Sequence, residues 1–217
     1  MMKKIISFCL WGDNPKYTIG AIKNADLALD IYPEWTCRYY IGKSTPFEII
    51  KQLYERKNTE IIVMSEEGNW NGMFWRFSPA SDFDVEVMIS RDTDSRLSSR
   101  EKSAVDEWLQ SDKGFHIMRD HPAHQTAILG GMWGAKKGCI SNMIELMSEY
   151  SKGDFWQVDQ NFLKEKIYPL VKDTSCVHDE FFEKKPFPTK RKEGLDHNSE
   201  PIHFVGSVFD ENDKQLI

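Results

Sequence analysis

Short apolar runs rich in β-branched and aromatic residues alternate with segments of helical period along this chain, and this alternation restricts the possible folds. Five such runs are predicted to be strands, at residues 4–11, 36–41, 60–64, 85–90 and 115–118. Strands separated by helices pair in parallel through crossover connections. The sequence therefore predicts an α/β fold, a Rossmann-like αβα sandwich with a central, mostly parallel sheet.

The connections between the strands carry helix start and stop signals. Pro33 ends the helical period that follows the first strand. Thr45 and Glu48 have the spacing of a capping box, in which a hydroxyl at the N-cap and a carboxylate three residues later satisfy free backbone N–H groups. Ser98 and Glu101 repeat this spacing. We therefore expect helices to begin at Thr45 and at Ser98.

Length and charge limit the number of domains and the class of partner. The 217 residues, 40% of them hydrophobic, suit one domain with one sizeable core over residues 1–217. The 28 basic and 34 acidic side chains give a net charge of −6, which argues against nucleic acid as a partner because a phosphate backbone attracts basic surfaces.

Membrane and redox signals are weak. The longest uncharged apolar stretch, residues 126–135, is far shorter than the roughly 18 to 20 residues that span a bilayer. We expect no transmembrane segment, and a peripheral membrane contact stays open. The four cysteines are widely spaced and form no C-x-x-C pair, which favours a reducing, cytoplasmic setting over a disulfide scaffold.

Two carboxylates follow the fourth predicted strand. In parallel sheets ligands gather beyond the carboxyl ends of the strands, which is where Asp92 and Asp94 stand. Mg²⁺ and Mn²⁺ accept one or two carboxylates and keep other positions for substrate phosphates, so this pair could hold a cation against a diphosphate. The alternative is a solvated charged turn flanked by Arg91 and Arg96. A second Asp-x-Asp triplet, at residues 82–84, precedes the strand and indicates a surface turn.

Asp159 occupies an unexpected position. A helix over residues 154–168 would place this carboxylate in the middle of the apolar face, beside Phe162. A buried unpaired carboxylate is costly, so Asp159 should be hydrogen-bonded, paired with Lys166, or directed into a polar cavity. The alternatives are a structural ion pair and a functional group beside a reacting sugar, acting as a general base or as an electrostatic stabiliser.

Several motifs together resemble one family. An aromatic-Arg-aromatic stretch at residues 73–77 precedes the fourth strand and the triplet at residues 92–94, the pair Asp159-Gln160 follows, and a His-aromatic-x-Gly segment lies at residues 203–206. This order resembles the GT-A glycosyltransferases, in particular the retaining galactosyltransferase-type members, and extends over most of the chain. The resemblance implies transfer of a sugar from a nucleoside diphosphate sugar, most simply a UDP-sugar, to a hydroxyl of a glycan or other acceptor.

The resemblance also implies roles for individual residues. Asp92, Asp94 and His203 would bind Mn²⁺ or Mg²⁺, and His178 is the other candidate for the third ligand. The residues that would contact the nucleotide or the rest of the donor are Trp11, Tyr17, Arg76, Asp92, Thr93, Asp94, Gly130 and Gly131. The residues that would act at the sugar are Asp159 and Gln160.

One feature departs from the family. After the His-aromatic-x-Gly segment the family usually has Lys-Pro-Trp, whereas this chain has Val208-Phe209-Asp210. The phosphate-binding lysine is therefore missing, and a lysine within residues 184–192 could replace it. Residues 184–201 combine basic side chains with three prolines and no apolar period, which is typical of a long loop, so we predict a basic loop or lid there.

Two further histidines follow the fifth predicted strand. His121 and His124 are separated by Pro122, so a shaped loop at the rim of the site is favoured over a zinc pair.

A sugar nucleotidyltransferase needs a glycine-rich loop after the first strand, where only Gly12 is present. A haloacid dehalogenase-type phosphatase normally has its Asp-x-Asp after the first strand. The main hypothesis is a metal-dependent glycosyltransferase of polysaccharide or glycan synthesis, and a nucleotide-sugar-binding module without catalysis is the other alternative.

Overall fold

The computed structural model of the chain describes residues 2–150 and 153–216. The described strands are β1 (Lys3–Leu10), β2 (Thr36–Ile41), β3 (Thr59–Val63), β4 (Val85–Ser90), β5 (Phe115–Arg119), β6 (Trp133–Lys136) and β7 (Ser175–Asp179). The described α-helices are α1 (Pro15–Ile31), α2 (Phe47–Tyr54), α3 (Ser99–Gln110), α4 (Met143–Ser148), α5 (Val158–Phe162) and α6 (Tyr168–Val171). A 3-10 helix spans Trp70–Ser81, and a π-helical turn, Leu163–Ile167, joins α5 to α6.

The strands form one sheet in the order β3-β2-β1-β4-β6-β5-β7. All neighbouring pairs are parallel except those made by β6, which runs antiparallel to both β4 and β5. The predicted αβα sandwich with a mostly parallel sheet is therefore confirmed. The prediction lacked β6 and β7. The sequence of β6 is Trp-Gly-Ala-Lys, which has no β-branched residue, so its extended form is set by its two neighbours rather than by local preference.

The two faces of the sheet bury separate apolar clusters. On β1, Ile6, Phe8 and Leu10 point to one face, where they pack with α1, α2 and α3. Ile5 points to the other face, which is covered by the 3-10 helix and by the helical segment from α5 to α6. The period-2 alternation of a strand buried on both faces accounts for the continuous apolar runs in the sequence.

The helix starts agree only partly with the capping signals. Ser98 caps α3, because its hydroxyl accepts a hydrogen bond from the Glu101 N–H at 3.3 Å. The Thr45 prediction is wrong: α2 begins at Phe47 with no side-chain cap. The Thr45 hydroxyl instead donates to the carbonyl oxygen of Leu10 at 3.2 Å. The Leu10 carbonyl at the end of β1, which also accepts from the Gly42 N–H at 2.9 Å, thus binds the hydroxyl that the local spacing assigned to the helix.

Among the residues that the structure describes, no helix is long and apolar enough to cross a membrane. All four cysteines, Cys9, Cys37, Cys139 and Cys176, are free thiols.

Candidate functional site

A cleft opens at the carboxyl ends of β1 and β4, with a volume of about 320 Å³. Residues 9–14, which continue β1 into α1, form one wall, and residues 92–94 after β4 form another. Tyr17, Trp70, Met73 and Arg76 complete the lining. The strand pattern predicted ligand binding at the carboxyl ends of the strands, and the structure has a cavity there.

Arg76 links two carboxylates that are far apart in sequence. Its Nη1 contacts Asp92 Oδ1, and its Nη2 donates to Asp159 Oδ2 at 2.9 Å. The Arg76 side chain is buried, as is Asp159, whereas 42% of the Asp92 side chain is exposed. Burial would lower the pKa of Arg76, but the neighbouring charges of Asp92 and Asp159 raise it above its ordinary value. Arg76 therefore stays charged and joins the exposed carboxylate to the buried one.

Gly130 and Gly131 lie directly against these carboxylates. A Cβ atom on Gly131 would lie 2.0 Å from Asp92 Oδ2, and one on Gly130 would lie 2.4 Å from Asp159 Oδ2. No side chain fits at such distances, so the close approach requires glycine at both positions. The structure thus brings five of the predicted site residues together: Arg76, Asp92, Gly130, Gly131 and Asp159.

The Asp159 side chain is fully buried at the start of α5. The prediction that Asp159 has a hydrogen-bond or ion-pair partner is confirmed. That partner is Arg76, and not Lys166 as one of the alternatives had it. Burial raises the pKa of Asp159, and the charge of Arg76 opposes that shift. The second oxygen, Oδ1, has no hydrogen-bond partner among the described residues. Gln160 is only half-buried, and the ion-pair cluster does not include its side chain.

Asp94 is the more enclosed carboxylate of the predicted metal-binding pair. Its Oδ2 lies 2.9 Å from Lys16 Nζ, and 15% of its side chain is exposed. Burial and the negative charge of Asp92 raise the pKa of Asp94, while Lys16 opposes the shift. A bound cation would offset the repulsion between these two carboxylates.

The donor set at this turn fits a hard divalent cation. The ion pairs engage Asp92 Oδ1 and Asp94 Oδ2, and the other oxygen of each carboxylate lies outside these pairs. The three carboxylates of Asp92, Asp94 and Asp159 exceed the two cations of Lys16 and Arg76 by one charge. Oxygen donors with residual negative charge are what Mg²⁺ and Mn²⁺ require.

The turn that carries these carboxylates is fixed by the protein rather than solvated. The buried Asn24 side chain donates to the Ser95 carbonyl at 2.9 Å and accepts from the Leu97 N–H at 3.0 Å. Arg91 is buried in an ion pair with Glu101 at 2.9 Å. The alternative of a solvated charged turn flanked by Arg91 and Arg96 therefore does not fit these two arginines, whose side chains are 2% and 10% exposed and ion-paired.

Aromatic side chains line the β1 side of the cleft, as predicted for Trp11 and Tyr17. The Trp11 indole packs against Gly68, where a Cβ would lie 2.0 Å from the ring, and makes an edge contact with Trp75 at 6.0 Å between ring centroids. Tyr17 in the first turn of α1 is 37% exposed, and Lys16 Nζ lies 4.4 Å from its ring centroid. Tyr17 thus has a face available to a ligand, whereas Trp11 is held by its neighbours.

The predicted third metal ligands do not join Asp92 and Asp94. His203 is exposed and lines a separate cavity of about 480 Å³. His178 lies on β7, three strands away from β4, with its ring beside His116. The sequence pattern does not fix His203 in space, because the chain after β7 has no periodic signal, and a third ligand from His203 stays a prediction that needs movement of the chain. His178 is held on β7, away from Asp92 and Asp94, because β7 pairs with β5.

The predicted basic lid is docked on the protein in this structure. Phe187 is buried, and Arg191 pairs with Glu180 at 3.0 Å and also contacts Asp120. Lys190 and Lys192 are exposed beside the cavity that contains His203, not beside the Asp92 cleft. Closure of this segment over a donor remains a prediction.

The loop after β5 has its two histidines near the carboxyl-terminal segment. The ring centroid of His121 lies 4.2 Å from that of Phe204, and His124 Nδ1 accepts from the Asp120 N–H at 3.0 Å. Both rings therefore shape a loop, as the intervening proline suggested, and neither lines the cleft.

Sequence reasoning missed Cys9, Leu10, Trp70 and Met73 of the cleft lining, and also Lys16, which pairs with Asp94. Lys16 had a usable signal, because it stands in the first turn of a helix that begins at a ligand-binding edge. Burial raises the pKa of the Cys9 thiol to about 12, so it remains protonated.

Comparison with solved structures identifies the fold. A glycosyltransferase involved in the glycosylation of the major capsid of PBCV-1 matches with a TM-score of 0.54 and 14% identity, over 86% of this chain and 91% of that one. A mannosyltransferase from Pyrobaculum calidifontis in complex with GDP-Man and Mn²⁺ matches with a TM-score of 0.53 and 12% identity, over 84% of this chain and 58% of that one.

Nucleotidyltransferases share the same architecture. The 4-diphosphocytidyl-2C-methyl-D-erythritol synthase from Anaerococcus prevotii matches with a TM-score of 0.52 and 12% identity, over 87% of this chain and 93% of that one. The sequence itself matches no protein-family model and no curated protein. At these identities the likeness establishes the fold alone: the chain has the GT-A fold of nucleotide-sugar glycosyltransferases.

Proposed function

We propose that this chain is a metal-dependent glycosyltransferase that moves a sugar from a nucleoside diphosphate sugar, a UDP-sugar in the simplest case, to a hydroxyl of a glycan. One observation carries the proposal: Arg76 joins Asp92, at the mouth of a cleft beyond β4, to the buried Asp159 beneath Gly130. The two carboxylates of the Asp-x-Asp turn and the carboxylate beside the glycine pair thus belong to one charged assembly on a GT-A fold.

Asp92 and Asp94 would hold the divalent cation, Mn²⁺ or Mg²⁺, through the oxygens that Arg76 and Lys16 do not engage. When bound, such a cation supplies positive charge that stabilises a departing nucleoside diphosphate. Lys16, whose Nζ lies at the same turn, and the neighbouring Tyr17 ring would orient the diphosphate and the base. The Mn²⁺ and GDP-Man held by a structural neighbour support this kind of donor and cofactor.

Asp159 would act through Arg76 rather than on the acceptor itself. Its side chain is fully buried, so neither oxygen reaches a hydroxyl in the cleft, and a role as general base is disfavoured. Its charge keeps the Arg76 guanidinium oriented toward Asp92 and adds negative potential beneath Gly130. This potential would favour the positive charge that develops on a transferring sugar.

Exposed aromatic residues beside the cleft suit a glycan acceptor. Trp70 is 42% exposed in the cleft lining, and Phe155 and Trp156 are 43% and 64% exposed. A hydrogen bond of 3.2 Å between Asn69 and Asp154 connects the start of the 3-10 helix that carries Trp70 to the segment that carries Phe155 and Trp156. Aromatic faces bind the apolar faces of sugar rings, so this rim is our candidate for acceptor contact. The four free thiols agree with action in the cytoplasm.

Substitution of the metal-binding carboxylates tests the proposal. Asp92→Ala and Asp94→Ala should each lower Mn²⁺-dependent release of UDP from a UDP-sugar panel by about 100-fold or more, because each removes a ligand of the cation. Asp84→Ala is the matched control, since this carboxylate belongs to the Asp-x-Asp triplet before β4 and pairs with Lys3. Its rate should stay within about twofold of the original.

The outcome separates the alternatives. Equal rates in Asp92→Ala and Asp84→Ala would remove the metal assignment. Thermal stabilisation by a UDP-sugar and Mn²⁺ without any UDP release would favour a binding module, because a ligand can stabilise the native state without being converted. Pyrophosphate release from a nucleoside triphosphate and a sugar phosphate would favour a nucleotidyltransferase.

A further inference from the structure

A second cluster of metal-binding side chains lies away from the cleft, on β5 and β7. His116 of β5 is the register partner of Cys176 of β7, and His178 follows Cys176 by two residues, on the same face of the strand. One nitrogen of each imidazole and the Cys176 Sγ all lie within 4.8 Å of one another. Two strands on the sheet therefore present two nitrogens and one sulfur to a single point.

The hydrogen bonds around the cluster orient its lone pairs. His178 Nε2 lies 3.5 Å from Glu107 Oε1, and His178 Nδ1 lies 2.8 Å from His116 Nε2. A carboxylate at Nε2 favours the tautomer in which Nδ1 of His178 is unprotonated and faces the cluster. His116 Nδ1 has no hydrogen-bond partner among the described residues, so it can carry the ring proton when Nε2 becomes a ligand.

The Cys176 side chain is half-buried beside the two buried imidazoles. A bound metal ion would displace the thiol proton to solvent, as thiolate ligation requires.

We propose that His116, Cys176 and His178 form a Zn²⁺ site, with Glu107 orienting His178 from outside the coordination shell. Two nitrogens and a thiolate are the donors that tetrahedral Zn²⁺ takes, at about 2.0–2.1 Å for nitrogen and about 2.3 Å for sulfur. Two nitrogens on such an ion are about 3.3 Å apart, so the present separation of 2.8 Å must open only slightly. The site joins the edge strand β7 to β5 and does not depend on the proposed transferase function.

The test uses the full chain, stripped of metal by a chelator. We expect one Zn²⁺ per chain in competition titrations, and with Co²⁺ a thiolate-to-cobalt charge-transfer band. Cys176→Ser should weaken Zn²⁺ binding by about 100-fold or more and abolish the band. Glu107→Gln, at an exposed carboxylate, should weaken binding by about tenfold through loss of His178 orientation.

Two controls assign the binding to this cluster. Cys139→Ser changes another half-buried thiol and should bind Zn²⁺ like the original chain. Asp92→Ala should also retain the site, which separates it from the cation of the cleft. Absence of the charge-transfer band in the original chain, or equal Zn²⁺ affinity of Cys176→Ser and Cys139→Ser, would overturn the proposal. If Cys176→Ser does not fold, the cobalt spectrum of the original chain decides the question.

Discussion

Arg76→Met should destabilise the protein chiefly because it leaves the buried Asp159 carboxylate without a counter-ion. The substitution keeps a long apolar side chain but removes the cation that faces both carboxylates. Asp92 is 42% exposed and can be solvated instead, whereas Asp159 is fully buried and already has one oxygen without a partner. The lost stability therefore comes mainly from a single uncompensated buried charge.

The magnitude follows from the burial. Removing one partner of a buried ion pair costs about 3–5 kcal/mol in free energy of unfolding. For a domain of this size each 1 kcal/mol shifts Tm by about 2–4 °C, so we expect a decrease of about 6–20 °C at pH 7. Arg56→Met is the matched control, because the Asp26 partner of Arg56 is 53% exposed. Its cost should be at most about 1 kcal/mol.

The pH dependence has a definite sign. The folded-state pKa of Asp159 is already raised, and loss of Arg76 should raise it further. As the pH falls through that raised pKa, folded Asp159 takes up a proton while the unfolded chain, with its ordinary value of 3.8, does not. The deficit of Arg76→Met should therefore be largest at neutral pH and shrink in acid.

Urea denaturation at pH 7 and pH 5 measures both effects. The double variant Arg76→Met/Asp159→Asn should recover a large part of the lost stability at pH 7, because the buried charge is gone. A deficit that is the same at both pH values, together with no recovery in the double variant, would refute the assignment of the cost to Asp159.

Two other predictions concern the glycine pair and the loop after β5. Gly131→Ala would place a Cβ 2.0 Å from Asp92 Oδ2, so the carboxylate must turn away, and Mn²⁺ affinity measured by titration should fall by about tenfold or more while the fold is kept. Unchanged affinity would exclude Asp92 Oδ2 as a ligand. Burial lowers the pKa of His124 from 6.5 to about 4. As the pH falls, His124 is therefore protonated in the unfolded chain before it is protonated in the folded chain. Acidification from pH 6.5 to 4 should remove at most about 3 kcal/mol from the free energy of unfolding through this residue. Denaturation of His124→Asn should show a shallower loss, and an identical pH profile would contradict the assignment.

The sequence alone was sufficient for the features that depend on local pattern. Alternation of apolar runs and helical segments predicted the mostly parallel sheet, and the position of Asp92 and Asp94 after the fourth strand predicted that they line a cleft. The period of the helix predicted that Asp159 is buried and needs a partner. Each of these follows from which side of one element a residue occupies, which its own neighbours in sequence determine.

The tertiary structure decided which distant residues meet. Nothing local indicates that the partner of Asp159 is Arg76 rather than Lys166, or that β6 runs antiparallel between β4 and β5. The same is true of His116 and His178, which meet only because β7 pairs with β5. A periodic pattern specifies the buried face of an element, but the partner on that face depends on strand order, which only the packing of the whole chain determines.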